Sequence, residues 1–193
     1  MSETTNRSGS WKKYAYEMLS IILGVLVALA VDEWREDRQH AERAEIALNN
    51  IRSEMETNLR ILNVLHPSNE ITLEYLQQDT LESDSLSDMK ITPGIMLQDV
   101  AWNTLLNNGI STFIEYDELL KISQLYALQA IYKDFGNQFI HQLNQASITS
   151  TIMGNALSQD ELIKSNPELF SLVMIVESQL IELLNDYLNP ELE

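Results

Sequence analysis

The stretch Met18–Val31 contains no charged residue and is broken only by Ser20 and Gly24. A run of this kind restricts a chain to three outcomes: a retained membrane span, the apolar part of a cleaved signal peptide, or a helix buried in a globular core. Alone it falls short of the roughly 20 residues that a helix needs to cross a bilayer. Tyr14, Ala15 and Tyr16 before it, and Trp34 after it, extend it to spanning length. The rings of Trp11, Tyr14, Tyr16 and Trp34 then fall at the two interfaces, where amphipathic aromatics sit. Ala28-Leu29-Ala30 does have the small-x-small form of a cleavage site. The apolar pattern nevertheless continues unbroken into Asp32-Glu33-Trp34-Arg35, with no Pro or further Gly before Pro67. A retained single span over 14–34 is therefore expected. It separates a short basic tail, 1–13, from an acidic body, 35–193.

Charge is distributed in the same two-part way. The chain has 12 Lys plus Arg against 29 Asp plus Glu, a formal net charge of -17. Residues 1–31 hold Arg7, Lys12 and Lys13 against Glu3 and Glu17, so the negative excess lies wholly in the body. Such a body has no basic surplus to replace counterions on phosphates, which excludes nucleic acid as a direct partner. There is no Cys, which excludes disulfides, thiolate chemistry and Cys-ligated zinc. For orientation, Arg35, Arg38 and Arg43 balance the three basic residues of the head, so their count is a tie. The head's positives are nearly unopposed, and an apolar run follows them as in a signal anchor. The head is therefore expected inside, with the acidic body outside the cytoplasmic membrane.

Inside the span, Ser20, Gly24 and Ala28 recur every four residues, the spacing that lets helix backbones approach closely. At about 100° per residue Glu17 falls on the same face. Either Glu17 snorkels to the interface beside Lys13, or it serves an interhelical role at an oligomer or partner contact.

The body reads as helical throughout. Ala41, Ala44, Leu48, Ile51, Met55, Asn58, Leu62 and Leu65 are spaced alternately by three and four, a heptad-like seam with one polar position. Two uses are open to it: packing on the chain's own bundle, or a parallel coiled coil between protomers. His66-Pro67-Ser68-Asn69 predicts the end of that helix, with Ser68 or Asn69 capping a second one to about Leu81. An acidic loop at 82–88 and Pro93-Gly94 precede a helix from about Ile95 to Leu106, stopped by Asn107-Asn108-Gly109. Asp117 is expected to cap a long helix that carries Leu119, Ile122, Tyr126, Ile131, Phe135, Phe139 and Leu143 and ends near Gly154, with a bend marked by Gly136. Asn166-Pro167 opens the last helix, with Leu169, Leu172, Val176, Leu180, Leu183 and Tyr187 on one face. The fold class is all-α: a transmembrane helix continuing into a helical bundle with a coiled-coil-like seam.

Two stretches resemble a family of uncharacterised bacterial membrane-anchored helical proteins, a domain-of-unknown-function group. One is Tyr16-Glu17 through Gly24-Val-Leu-Val-Ala-Leu-Ala-Val-Asp-Glu-Trp34, similar to that family's glutamate, glycine-aliphatic run and closing tryptophan. The other is Val100-Ala-Trp102-Asn-Thr104-Leu-Leu, followed by Tyr116-Asp-Glu-Leu-Leu-Lys-Ile-Ser-Gln-Leu-Tyr126-Ala-Leu-Gln129. The resemblance implies an anchored helical domain and supplies no catalytic residue.

Few residues suggest chemistry. Glu36 and His40, one turn apart with Glu33 and Asp37 nearby, offer a weak metal pair, whereas zinc wants three or four protein ligands. Asp99, Asp117 and Glu118 flank the Trp102 region with nothing to place two of them across a pocket. Trp102 and Thr104 are read as packing and a helix-side hydrogen bond, with a small-ligand pocket as the other use, and His141 as a surface or interhelical hydrogen bonder. No GxSxG, HExxH or P-loop pattern is present. The expectation is a non-enzymatic interaction or scaffold protein without cofactor or metal. It would self-associate through Ser20, Gly24 and Ala28 and through the seam. Its expected partners are the lipid bilayer, its own copies and another membrane protein. The alternative is a subunit of a transport or ion-coupled assembly with Glu17 as the intramembrane protonatable group.

Overall fold

A computed structural model describes residues 10–77, 96–154 and 167–189. They form α1 (Ser10–Gln77), α2 (Val100–Asn107), a 3-10 turn (Ile110–Phe113), α3 (Tyr116–Ile152) and α4 (Pro167–Leu188), with no strand among them. The all-α expectation holds. The chain divides into two compact units, Met1–Ile46 and Ala47–Glu193.

In the first unit the described chain is one helix. Every residue from 13 to 39 is exposed on it, including Leu23 at 61%, Leu26 at 57% and Leu29 at 61%. The stretch is therefore not the buried core helix that the sequence left open. The helix that contains it is the one candidate among the described residues long and apolar enough to cross a membrane.

In the second unit α1, α3 and α4 pack side by side. Glu54 meets Tyr126 and Asn58 meets Gln129, so α1 and α3 run in the same direction. Tyr187 meets Glu118 and Phe170 meets Phe139, so α4 runs against α3. The core is Ile51, Met55 and Leu62 from α1, Ile122, Tyr132 and Phe139 from α3, and Phe170, Val173, Leu180 and Leu184 from α4. At one end Phe139, Phe170 and Met174 cluster with Leu73, Leu76, Leu143 and Leu169.

The seam resolves in favour of the chain's own bundle from Ile51 onward. Ile51, Asn58 and Leu62 have no exposed surface and Met55 has 1%; Leu48 and Leu65 are half-buried and Ala41 is exposed. A seam already covered within the chain cannot also pack in a coiled coil with another copy.

Three boundaries differ from expectation. α1 does not stop at His66-Pro67 but carries Pro67 inside it as far as Gln77. Proline there loses the bond to the carbonyl four residues back, yet its ring is exposed while Asn69, Thr72 and Tyr75 beyond it are buried. Tertiary burial outweighs the local break. Ser68 and Asn69 are consequently not caps. α3 begins one residue after Glu115, which is its N-cap, and Asp117 lies in its first turn, where the helix dipole favours a negative group. α2 begins at Val100 and not near Ile95, because Leu97–Asp99 is held in a non-helical conformation by contacts described below.

Its predicted stop is found. Gly109 adopts φ 66°, a left-handed conformation that glycine enters without a Cβ penalty. The loop at 82–88, Pro93-Gly94, Ile95 and Asn166 lie outside the described residues, as does most of the tail 1–13.

The buried faces of α3 and α4 also depart from the expected lists. Ile131 is 45% exposed and its neighbour Tyr132 is fully buried; on α4 Leu172 and Leu183 are 46% and 42% exposed. Phe170, Val173, Met174, Val176, Glu177, Leu180 and Leu184 face inward. The reason is Glu177: a carboxyl group at the middle of the inward face makes the apolar pattern point the wrong way. Gly136 is buried on α3.

Candidate functional site

Two sets of residues stand out, one in each unit. In the first unit Glu17, Ser20, Gly24 and Ala28 are all exposed on α1. A Cβ built on Gly24 meets nothing within 4 Å, so this face is smooth and open. Further along, Arg38 lies 5.9 Å from the centroid of the Trp34 ring and Arg35 pairs with Asp32 at 4.0 Å. His40 Nε2 lies 3.5 Å from Glu36, the expected helix pair. No group of three or more His, Cys, Asp or Glu gathers as a metal site needs among the described residues.

In the second unit two buried carboxyl groups organise the polar interior, and the sequence singled out neither. Glu54 is 7% exposed. One of its oxygens accepts the Ala101 backbone N–H at 2.9 Å and the other the Tyr126 hydroxyl at 2.5 Å. Ala101 is in the first turn of α2, whose free N–H groups attract a negative group. The cap residue of that helix, Asp99, makes no side-chain cap bond, so α1 caps α2 from outside. Burial, followed by the hydrogen bond to Glu54, pushes the Tyr126 phenol well above its ordinary range. It stays a neutral donor. Its ring stacks on Trp102 with centroids 5.2 Å apart and planes 8° from parallel.

One turn along α1, Asn58 reads both backbone groups of Gln98. Its amide donates to the Gln98 carbonyl and its oxygen accepts the Gln98 N–H, each at 2.8 Å. Gln129 donates to the same carbonyl at 2.8 Å and accepts from Asn58 at 2.9 Å. Lys133 pairs with Asp99 at 2.9 Å. Five residues from α1 and α3 thus hold the segment 97–102 in place, which is why it is not helical up to Asp99. Trp102 is half-buried in this packing and Thr104 is exposed.

Glu177 is wholly buried. It accepts from His66 Nδ1 at 2.8 Å, from the Asn69 amide at 2.9 Å and from the Tyr132 hydroxyl. His66 Nε2 faces Glu70 at 3.4 Å. A cavity of about 260 Å³ opens beside this imidazole, lined by Leu73, Met174 and Ile175 with Ser171 and Ser178. Both serines donate to carbonyls of their own helix, Pro167 and Met174, at 2.9 Å. Neither hydroxyl bonds to the imidazole, and the group ties α1, α3 and α4 together. Near the far end of the bundle Tyr187 donates to Glu118 at 2.6 Å. Burial and that bond raise its phenol too, partly offset by Arg52. Asp117 and His141 are exposed. Asp99 and Glu118 are thus engaged with different partners and do not converge.

No family model, curated protein or solved structure matches the chain.

Proposed function

We propose that the chain is a membrane-anchored, non-enzymatic helical interaction or scaffold protein. The observation that carries this is the exposure of every residue from 13 to 39 on a helix with an apolar stretch of spanning length. A large apolar side chain left in water forgoes about 1.5–3 kcal/mol, and this stretch leaves many uncovered. A bilayer is the medium that covers all sides of one helix at once. The resemblance of Tyr16–Trp34 and of the Trp102 and Tyr126 segments to uncharacterised bacterial membrane-anchored proteins supports the same reading.

The N-terminus faces the cytoplasm and the acidic bundle faces the periplasm. Copies of the chain meet through the Ser20, Gly24 and Ala28 face, since the seam from Ile51 to Leu62 is occupied by the chain's own core. The bundle offers its outer surface to a partner, and its buried carboxyl groups serve to hold that surface in one shape.

Alkaline extraction of membranes, with reporter fusions placed after Leu65, tests the reading. Retention in the lipid pellet and activity of an export-dependent reporter are expected. Release into the supernatant, a mature chain starting at Val31, or activity of a cytoplasm-only reporter would each refute the topology.

A further inference from the structure

On the outer side of the bundle α3 and α4, running antiparallel, leave an open groove of about 580 Å³. It is lined by the apolar Ala127, Leu128, Ile131 and Leu183 and by the carboxyl groups of Glu182 and Asp186. Ile131 and Leu183 are 45% and 42% exposed, and Leu172 and Ile175 continue an apolar stripe along the outside of α4. The two charged residues that line the groove are both acidic. α4 contains no Lys or Arg at all, and its exposed charged residues are Glu168, Glu182 and Asp186. Of α3's two lysines, Lys133 is paired with Asp99, and Lys121 lies a turn before the lining residue Gln124.

We propose that this groove is a docking site for a basic amphipathic helix of a partner protein. Its apolar face would lie among Leu128, Ile131 and Leu183, and its Lys or Arg residues would pair with Glu182 and Asp186. An open trough between two antiparallel helices, apolar with one acidic wall, suits such a helix. It suits the other occupants less well. A second copy would bring the same carboxyl groups against each other on a chain of net charge -17. An anionic lipid surface meets the same repulsion, and a small molecule would be left largely uncovered in an open groove. The inference rests on the reading of the chain as an interaction protein and adds where the partner sits and what its chemistry is.

The full chain in neutral-lipid nanodiscs, with empty nanodiscs as the blank, tests it against two synthetic helical peptides. Both carry Leu at helical spacing; one has Lys on its polar face and the other Glu. The Lys peptide is expected to bind saturably in the micromolar range, weakening with salt, and to crosslink to a photoreactive side chain in place of Gln179, which also lines the groove. The double reversal Glu182→Lys with Asp186→Lys, at two exposed positions, should weaken it about tenfold or more and favour the Glu peptide, with an unchanged melting midpoint.

Equal binding of both peptides, no binding above the blank, or indifference to the reversal overturns the groove assignment. Sizing of the chain solubilised from its own membranes separates this from the broader reading. A complex with another protein that persists unchanged in the double variant overturns the groove alone, and a bare monomer in the unaltered protein overturns both.

Discussion

Glu177 sits at the centre of the bundle with no exposed surface and accepts from His66, Asn69 and Tyr132. Its removal takes this acceptor from three buried or half-buried donors. At about 1 kcal/mol or more for each stranded group, Glu177→Ala is expected to cost about 3 kcal/mol or more, and Tyr132→Phe about 1–2 kcal/mol. Urea unfolding of the full chain in detergent measures both, and a double-mutant cycle between Glu177→Gln and Tyr132→Phe should show non-additive losses. Wild-type stability in Glu177→Ala would mean that the three donors find other partners. Tyr126 makes a different prediction, because its phenol is held neutral by burial and then by Glu54. With the folded-state value raised, the unfolded chain loses this proton first once pH exceeds about 10, the ordinary tyrosine value. The stabilisation is fully present below that pH and is lost as pH rises further, by up to about 1.4 kcal/mol per pH unit. Tyr126→Phe should lower stability at neutral pH and flatten the alkaline decline. An unchanged alkaline slope would contradict the neutral buried phenol.

Among the elements, α1 is the one whose length the local signals misjudge. Pro67 lacks the N–H that would bond to the carbonyl of Asn63, and an interior proline disfavours a helix by about 3 kcal/mol. The helix continues because Asn69, Thr72 and Tyr75 are buried one to two turns beyond, with Asn69 bonded to Glu177. Since Pro67 itself is exposed, Pro67→Ala opens no cavity and is expected to stabilise the bundle by about 1–3 kcal/mol. A thermal scan decides it; a lower midpoint would show that the proline's shape is needed at that turn. The short helix α2 is the opposite case. It has eight residues and no side-chain cap of its own, and isolated helices of that length do not persist in water. Glu54 supplies an acceptor that its N-terminal end lacks, and Asn58 and Gln129 fix Gln98 just ahead of it.

For the whole molecule the decisive contrast is between a stretch exposed on every side and a bundle with a closed interior. The proposed self-association uses the Ser20, Gly24 and Ala28 face of α1. Because a Cβ at Gly24 meets nothing within 4 Å, Gly24→Ile leaves the helix itself undisturbed and acts only where another helix approaches. The variant is expected to lower the mass of the detergent-solubilised particle, read by light scattering, while the bundle's melting midpoint stays the same. An unchanged mass would remove this face as the contact.

What the sequence determined alone was the class and the order of the molecule. A run such as Met18–Val31 can be read locally, because the cost of exposing apolar groups adds up along consecutive residues. The helix stops at Asn107-Asn108-Gly109 and the start at Pro167 were legible for a similar reason, since glycine and proline act on their own backbone. Periodicity also singled out the seam, and Asn58 within it as the polar exception. Glu54 and Glu177 were not legible: nothing adjacent marks a glutamate whose donors lie from 45 to 111 residues away in the chain. Glu177 lies on the inward face of α4 while Leu172 and Leu183 lie outside, and it bonds Asn69 on the part of α1 beyond Pro67. Burial and long-range hydrogen bonding are sums over partners that only the folded chain assembles, and here they outweighed the local signals wherever the two disagreed.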